Sequence, residues 1–380
     1  MPDGKQYIPD QFAGREFKAA SVTQAKVATK LYKTSSSDPA STDDTGLGYA
    51  VGTIWTNTTS GQIFIATDVT AENASWRGQE GDDINLLERG SNNYAGIYGG
   101  QPSRTNVDRY SVTSPGDASD VGEASPRAAG SGSQNVTGIL DTTNCFILGG
   151  RPSNNTVDKF AHSTSISVSD HGEMNTAVRN MGAGQSKTEC FAMGGNTGSL
   201  NDTIQKFAFA APLSAADTSS ELSAARDQFG GHSDLSGGYI YAAGGLEGSA
   251  VDTIERFPTS SPYPVADYGE LSMAKRSHSS CDSPTHGYTM GVHDAPGTNT
   301  DRIDRFPFSS PVSTDDVGNL ATHRQSSCGA ASPSKGFAAG GYSNDYHDQI
   351  ESWTLSSSAD ASDWGDLAAT VSNMGAWQSN

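Results

Sequence analysis

Hydrophobic residues in this chain gather in short runs, not in long stripes. YAGIYGG (94–100), CFILGG (145–150) and GYIYAAGG (238–245) are each bounded by Gly, Ser, Asn or Asp. Short apolar runs between turn residues predict many short β-strands. No amphipathic helical stretch of any length follows residue 40, so the body of the chain is expected to be all-β.

The runs recur. A strand ending in a glycine pair or near variant closes at Gly99-Gly100, Gly149-Gly150, Gly194-Gly195, Gly244-Gly245, Gly291-Val292 and Gly340-Gly341. Successive spacings are 50, 45, 50, 47 and 49 residues, within the range of propeller repeats. A second strand follows each pair: VDRY (107–110), VDKF (157–160), IQKF (204–207), IERF (254–257), IDRF (303–306) and IESW (350–353). Simple alternation would put Val/Ile and the basic residue on one face, the acid and the aromatic on the other. A third segment reads DVGEAS, DHGEMN, TSSELS, DYGELS, DVGNLA and DWGDLA, from 120, 170, 218, 267, 316 and 363. Its Asp-x-Gly is read as a turn leading into a strand. Arg127, Arg179, Arg226, Arg276 and Arg324 follow as a column, replaced by Val371 in the last copy. A fourth stretch, such as HRQSSCGAAS, completes a four-stranded unit, one propeller blade.

Gly-Gly, a strand ending in an aromatic, and an Arg before the next strand together resemble the kelch repeat over residues 93–380. The usual kelch Trp is mostly absent; only Trp364 lies in its interval. The wording GYIYAAGG…DTIERFPTSSP…DYGELSMAKRS…HGY is also similar to repeat proteins encoded by phages of marine bacteria. The implied fold is a six-bladed kelch-like β-propeller. The chain enters at a Gly-Gly strand and ends at SNMGAWQSN, the strand that should precede one. The last strand is therefore expected to complete the first blade and remove the open edges.

Residues 1–92 carry no repeat. Residues 16–33 predict a short helix with Phe17, Ala20, Val27 and Leu31 on one stripe, in a locally basic arm, and residues 34–46 read as a linker. Residues 1–46 thus form an arm and linker, 47–92 a small β-hairpin module and 93–380 the propeller. The hairpin is expected at 52–56 and 62–67, around a mini-core of Trp55, Phe64 and Trp76. Its GTIWTNT segment (52–58) and distal Trp are similar to modules of phage tail-fibre and appendage proteins, which implies that Trp55, Phe64 and Trp76 belong to a virion-docking module.

Charge and chemistry narrow the function. A formal net charge of −19 argues against a nucleic-acid surface and an anionic membrane. No apolar run reaches the ~20 residues of a membrane helix, and the N-terminus lacks the plan of a secretory signal. Cys145 and Cys190 share one site, before the glycine pair, in consecutive repeats, and Cys281 and Cys328 share a second, after Ser-Ser, in two later ones; cysteines one blade apart are too distant for disulfides and are expected to be free and buried. No G-x-S-x-G elbow, Walker loop or H-E-x-x-H occurs, so no enzymatic activity, cofactor or metal is expected. Residues shared by every blade are scaffold; candidates for binding lie where blades differ, in the loops after the glycine pairs. Those loops carry His293 and Asp294 in the fifth copy and Tyr342, Asp345, Tyr346 and His347 in the sixth. Aromatics beside polar groups suit glycan or protein contact. The resemblance implies a non-enzymatic phage virion protein, a tail-associated appendage assembled in the host cytoplasm. Its partners would be other virion proteins and a host-surface glycan or protein, with self-association as a further option. Two alternatives stay open: a propeller enzyme acting on carbohydrate, and a cellular kelch-type adaptor.

Overall fold

The short apolar runs become antiparallel strands almost throughout. The computed structural model describes residues 30–40, 42–43, 45–58, 63–71, 74–78, 94–102, 104–123, 136–141, 144–161, 166–210, 215–294, 298–311 and 314–378. The only helical element among them is a 3-10 turn, Thr45–Leu47. The chain divides into two units, Met1–Leu86 and Leu87–Asn380.

The smaller unit is a four-stranded sheet in chain order: Lys30–Ser35, Tyr49–Asn57, Ile63–Asp68 and Ser75–Gly78. The expected helix at 16–33 is not borne out at its end. Residues 30–35 are a strand parallel to 49–57, and residues 16–29 lie outside the described residues. Backbone pairing with 49–57 satisfies this segment, whereas a helix of that length is marginal alone. Trp55 pairs with Phe64, and both are buried with Tyr49, Ala66 and Val69. Trp55 and Trp76 meet edge-to-face at 5.5 Å, and Trp55 Nε1 donates to the Ser37 carbonyl at 2.9 Å. The mini-core exists, with two more strands than the hairpin reading supplied.

The larger unit is built from four-stranded meanders. Each starts with a short inner strand, passes through the Gly-Gly strand and the strand with the aromatic, and ends at the Asp-x-Gly strand. The third, for example, runs Gly182–Gln185, Glu189–Met193, Thr203–Ala208, Ala216–Glu221. The inner strands are Thr137–Leu140, Gly182–Gln185, Gly230–Asp234, Ser279–Asp282, Cys328–Ala331 and Gly375–Gln378. Each lies beside the next, and Gly375–Gln378 lies beside Thr137–Leu140. Gly375–Gln378 also pairs with Tyr94–Tyr98, so the last strand completes the first meander.

Small residues let the inner strands approach. A side chain at Gly138 would sit 1.7 Å from the Ala376 carbonyl oxygen, one at Gly231 2.1 Å from that of Ala183, and one at Gly329 2.2 Å from that of Ser280. The second position of the inner strand thus alternates glycine with Ala or Ser around the unit. The glycine pairs have a different cause. Gly99, Gly149, Gly194, Gly244, Gly291 and Gly340 all have φ between 57° and 66°, the left-handed region glycine adopts freely. Only the first of each pair is so constrained in the fifth copy, which is why Val292 is tolerated.

One expectation about the repeat holds and two are corrected. The second strand alternates as expected: Glu255 and Phe257 meet Arg226 and Phe229 on one side, while Ile254 and Arg256 meet Tyr268 on the other. Asp108, Asp158, Glu255, Asp304 and Glu351 are all buried, as is Gln205 at the same position, while Arg109, Lys159, Lys206, Arg256 and Arg305 are the partly exposed members. The β-bulge in each copy lies in the outer strand opposite, and leaves the faces of this strand unchanged. Asp-x-Gly is not a turn before a strand. It sits in the outer strand itself, where Asp120, Asp170 and Asp316 accept hydrogen bonds from the amides of Gly122, Gly172 and Gly318.

The Arg column is the second correction. Arg226, Lys275 and Arg324 occupy the buried place, with Val178 and Val371 in the equivalent positions; Arg179 and Arg276 lie one residue later and are partly exposed. A one-residue slip carries a side chain to the other face. Each buried cation reaches into the following meander: Arg226 pairs with Glu255, Lys275 with Asp304 at 2.5 Å and Arg324 with Glu351 at 3.1 Å. Where the cation is Val178, the facing residue is the neutral Gln205. Where it is Val371, Arg104 comes in from a loop to Asp108 at 3.1 Å. Burial lowers the Arg226, Lys275 and Arg324 pKa values, with the facing acids opposing it. Burial alone would raise the Asp304 carboxyl, yet Lys275, Ser272 and Arg302 hold it below its usual value.

The four cysteines are free and buried.

Candidate functional site

The site is organised by residues two places after the cation column. Asn180, Gln228, Ser277, Ser326 and Asn373 all have φ between 52° and 57°. Each amide donates to the preceding carbonyl: Gln228 to Asn180 at 2.9 Å, Ser277 to Gln228 at 2.9 Å, Ser326 to Ser277 at 2.7 Å and Asn373 to Ser326 at 3.0 Å. The result is a hydrogen-bonded belt at the end where the inner strands begin. Left-handed backbone is uncommon for residues other than glycine and several-fold enriched in Asn. Its repetition at one position marks a framework feature.

Outside the belt, the residue before each belt position pairs with the first loop residue after a glycine pair: Gln101 with Ser372, Asn196 with Arg179, Leu246 with Asp227, His293 with Arg276 and Tyr342 with Gln325. Equivalent backbone positions therefore carry a different side chain in each copy. The symmetric frame presents an asymmetric set of groups.

The belt encircles the mouth of a cavity of about 590 Å³ that runs down between the inner strands. Gln101, Tyr342 and Tyr346 contribute to its lining beside the belt residues. A second depression, lined by His293, Asn299, Asp301, His323, Ser343 and Asn344, adjoins it and shares Gln325. At the far end of the inner strands Asp282 accepts the Ser233 amide at 2.9 Å and contacts Nδ1 of the buried His232 at 2.6 Å. His278 Nε2 accepts the Gly230 amide at 3.0 Å, and burial pushes its pKa well down, which keeps the ring neutral.

Of the loop candidates, Tyr342 and Tyr346 line this mouth and His293 lines the adjoining depression, while Asp294, Asp345 and His347 line neither. Tyr342 and Tyr346 meet edge-on with centroids 5.4 Å apart. His347 holds their loop: Nε2 contacts Ser343 Oγ at 2.7 Å and Nδ1 contacts Gln349 Oε1 at 3.1 Å. Burial, with the Arg324 charge, keeps His347 below the usual imidazole value. Asp345 is exposed and its carboxylate accepts the Tyr346 amide at 2.8 Å. His293 occupies the place in the fifth copy that Tyr342 has in the sixth, and Asn299 Nδ2 reaches the Tyr342 carbonyl at 3.5 Å. Asp294 ends the strand His286–Asp294 opposite Lys275 in the ladder. Gln325, Ser326, His323 and the belt were not singled out from the sequence. Their signal was there: two residues after the buried cation or Val stands Asn, Gln, Ser, Ser or Asn.

The Trp55 and Phe64 side chains are 3% exposed, and Trp76 is partly buried, so all three are interior to their sheet. Among the large hydrophobic residues this sheet leaves open, Tyr32, Ile54 and Ile65 lie side by side across three strands, and Val51 is exposed farther along the second.

No family model matches the chain, and no curated protein matches it. Among solved structures it is similar to one described as "Structure of YjhT", at 12% sequence identity and a TM-score of 0.54, over 64% of this chain and 86% of that one. That likeness supports a β-propeller architecture for the larger unit and shows the fold alone.

Proposed function

We propose that residues 94–378 form a six-bladed ring closed by the last strand, and that this ring is a non-enzymatic recognition element carried on the N-terminal sheet. The observation that carries this reading is the channel mouth. Five described copies share one backbone frame there, and each fills it with a different side chain. A repeated frame whose rim carries a different side chain in each copy suits binding, because loops on a rigid scaffold tolerate change. Pairing of Gly375–Gln378 with Tyr94–Tyr98 supports closure. The phage-like wording of the repeats and of the GTIWTNT segment supports a bacteriophage virion appendage as the setting. In that setting the N-terminal unit attaches to other virion proteins and the propeller faces the host surface.

Mass spectrometry of purified particles from the phage that encodes the chain is expected to find it as a stoichiometric component. Its absence from particles, with abundant free protein in the lysate, would remove the virion reading.

A further inference from the structure

The channel mouth specifies a ligand chemistry. Amides line it at Gln101, Asn180, Gln228, Gln325 and Asn373, and hydroxyls at Ser277 and Ser326. Among the described residues no Lys or Arg lines the cavity; Arg179 and Arg276 stand on the frame around it. The one carboxylate among the described lining residues, Asp282, sits at the opposite end, held by His232 and the Ser233 amide.

Within this mouth the last unit is set apart. Tyr342 and Tyr346 form an aromatic corner, and the Tyr342 backbone is locked to Gln325 in both directions, at 2.8 and 2.9 Å. The loop is closed again by the His347 amide on the Gly341 carbonyl at 2.9 Å and the Val371 amide on the His347 carbonyl at 2.8 Å. A surface fixed in this way loses little freedom on binding.

We propose that the mouth over the last unit is a saccharide site, with Tyr342 and Tyr346 as the packing surface and Gln325 and Ser326 as the hydrogen-bonding edge. It rests on the reading of the propeller as a recognition element. A sugar ring has an apolar C–H face and an edge of hydroxyls. An aromatic ring meets the first, and an amide, donor and acceptor in one plane, meets adjacent members of the second. The sugar is uncharged. A carboxylated, phosphorylated or sulfated glycan calls for Arg or Lys, none of which lines the cavity among the described residues, and the chain's net charge of −19 repels it. An extended peptide would need free backbone groups to add as a strand, and the belt amides already bond to belt carbonyls.

The test is a glycan array followed by calorimetry on the full chain, comparing hexose-terminated neutral oligosaccharides with sialylated and sulfated ones. Neutral glycans are expected to bind, and Tyr346→Ala and Gln325→Ala each to weaken binding about tenfold or more without lowering the melting temperature. Tyr94→Ala, an exposed tyrosine outside the mouth, is expected to bind as the parent does. Binding to anionic glycans alone, or full affinity in Tyr346→Ala and Gln325→Ala, would overturn the proposal. A blank array from protein that still adsorbs to host cells in a Tyr346-dependent way overturns the saccharide and leaves the recognition reading standing. No adsorption at all overturns both.

Discussion

Removing residues 371–380 is expected to abolish cooperative unfolding and drive the protein to aggregate. The deletion takes away Gly375–Gln378, the partner of Tyr94–Tyr98, and leaves that strand's backbone groups unpaired. An open edge of this kind templates association with other chains. It also removes Val371, fully buried, and Met374, 6% exposed, from the cluster that holds Ile97, Phe337 and Trp364. Two such side chains account for about 3–6 kcal/mol of burial, a large part of a typical domain's 5–15 kcal/mol. A point variant reaches the same seam from the other side. Gly138→Val would force a side chain into the space of the Ala376 carbonyl oxygen. It should lower the melting temperature sharply. Differential scanning calorimetry and light scattering read both effects. A truncated chain that melts like the parent would show that the ring is not closed there.

Arg226→Met alone is expected to cost about 3–5 kcal/mol, because it leaves the Glu255 carboxylate buried without its cation. Glu255→Gln added to it should recover most of that loss. The chain itself supplies the template, since Val178 faces Gln205 in the same place one unit earlier. Gln205 Oε1 accepts the Thr176 amide at 3.0 Å, just as Glu255 Oε1 accepts the Ser223 amide at 3.0 Å. The amide side chain therefore keeps the hydrogen bond that ties one unit to the next and drops only the charge. Urea unfolding of the two single variants and the double variant measures the coupling. A double variant no more stable than Arg226→Met would mean that the ion pair is not the reason for the covariation.

This covariation also shows where reading the sequence stopped short. Glycine pairs, aromatics and spacing announced a repeated four-stranded unit, because each reports a local backbone or burial demand. The partner of a buried charge is not local: Arg226 meets Glu255 across a unit boundary, 29 positions on. Treating every basic residue near Asp-x-Gly as one column merged Arg226 and Arg324 with Arg179 and Arg276, which are one register apart. Aligning the copies on the belt residue would have separated them. In the N-terminal unit the aromatic mini-core was legible because Trp and Phe announce burial in any fold. The strand Lys30–Ser35 was not, since its partner lies beyond a segment rich in Ser, Thr and Asp.

At the channel mouth, Tyr342, Tyr346 and His347 stood out by chemistry in a variable loop. Gln325 and Ser326 did not, because polar residues in an Arg-Gln-Ser-Ser run carry no distinctive pattern. Their place is set by the left-handed belt, which only the backbone reveals.

The division of labour between the two units is tested most directly by removing Met1–Leu86 and asking whether the remainder enters particles. Purified protein starting at Leu87 should melt cooperatively and retain its adsorption to host cells, and it should be missing from virions assembled in its presence without the full chain. Incorporation of that protein at normal copy number would place the attachment surface on the propeller and contradict the account.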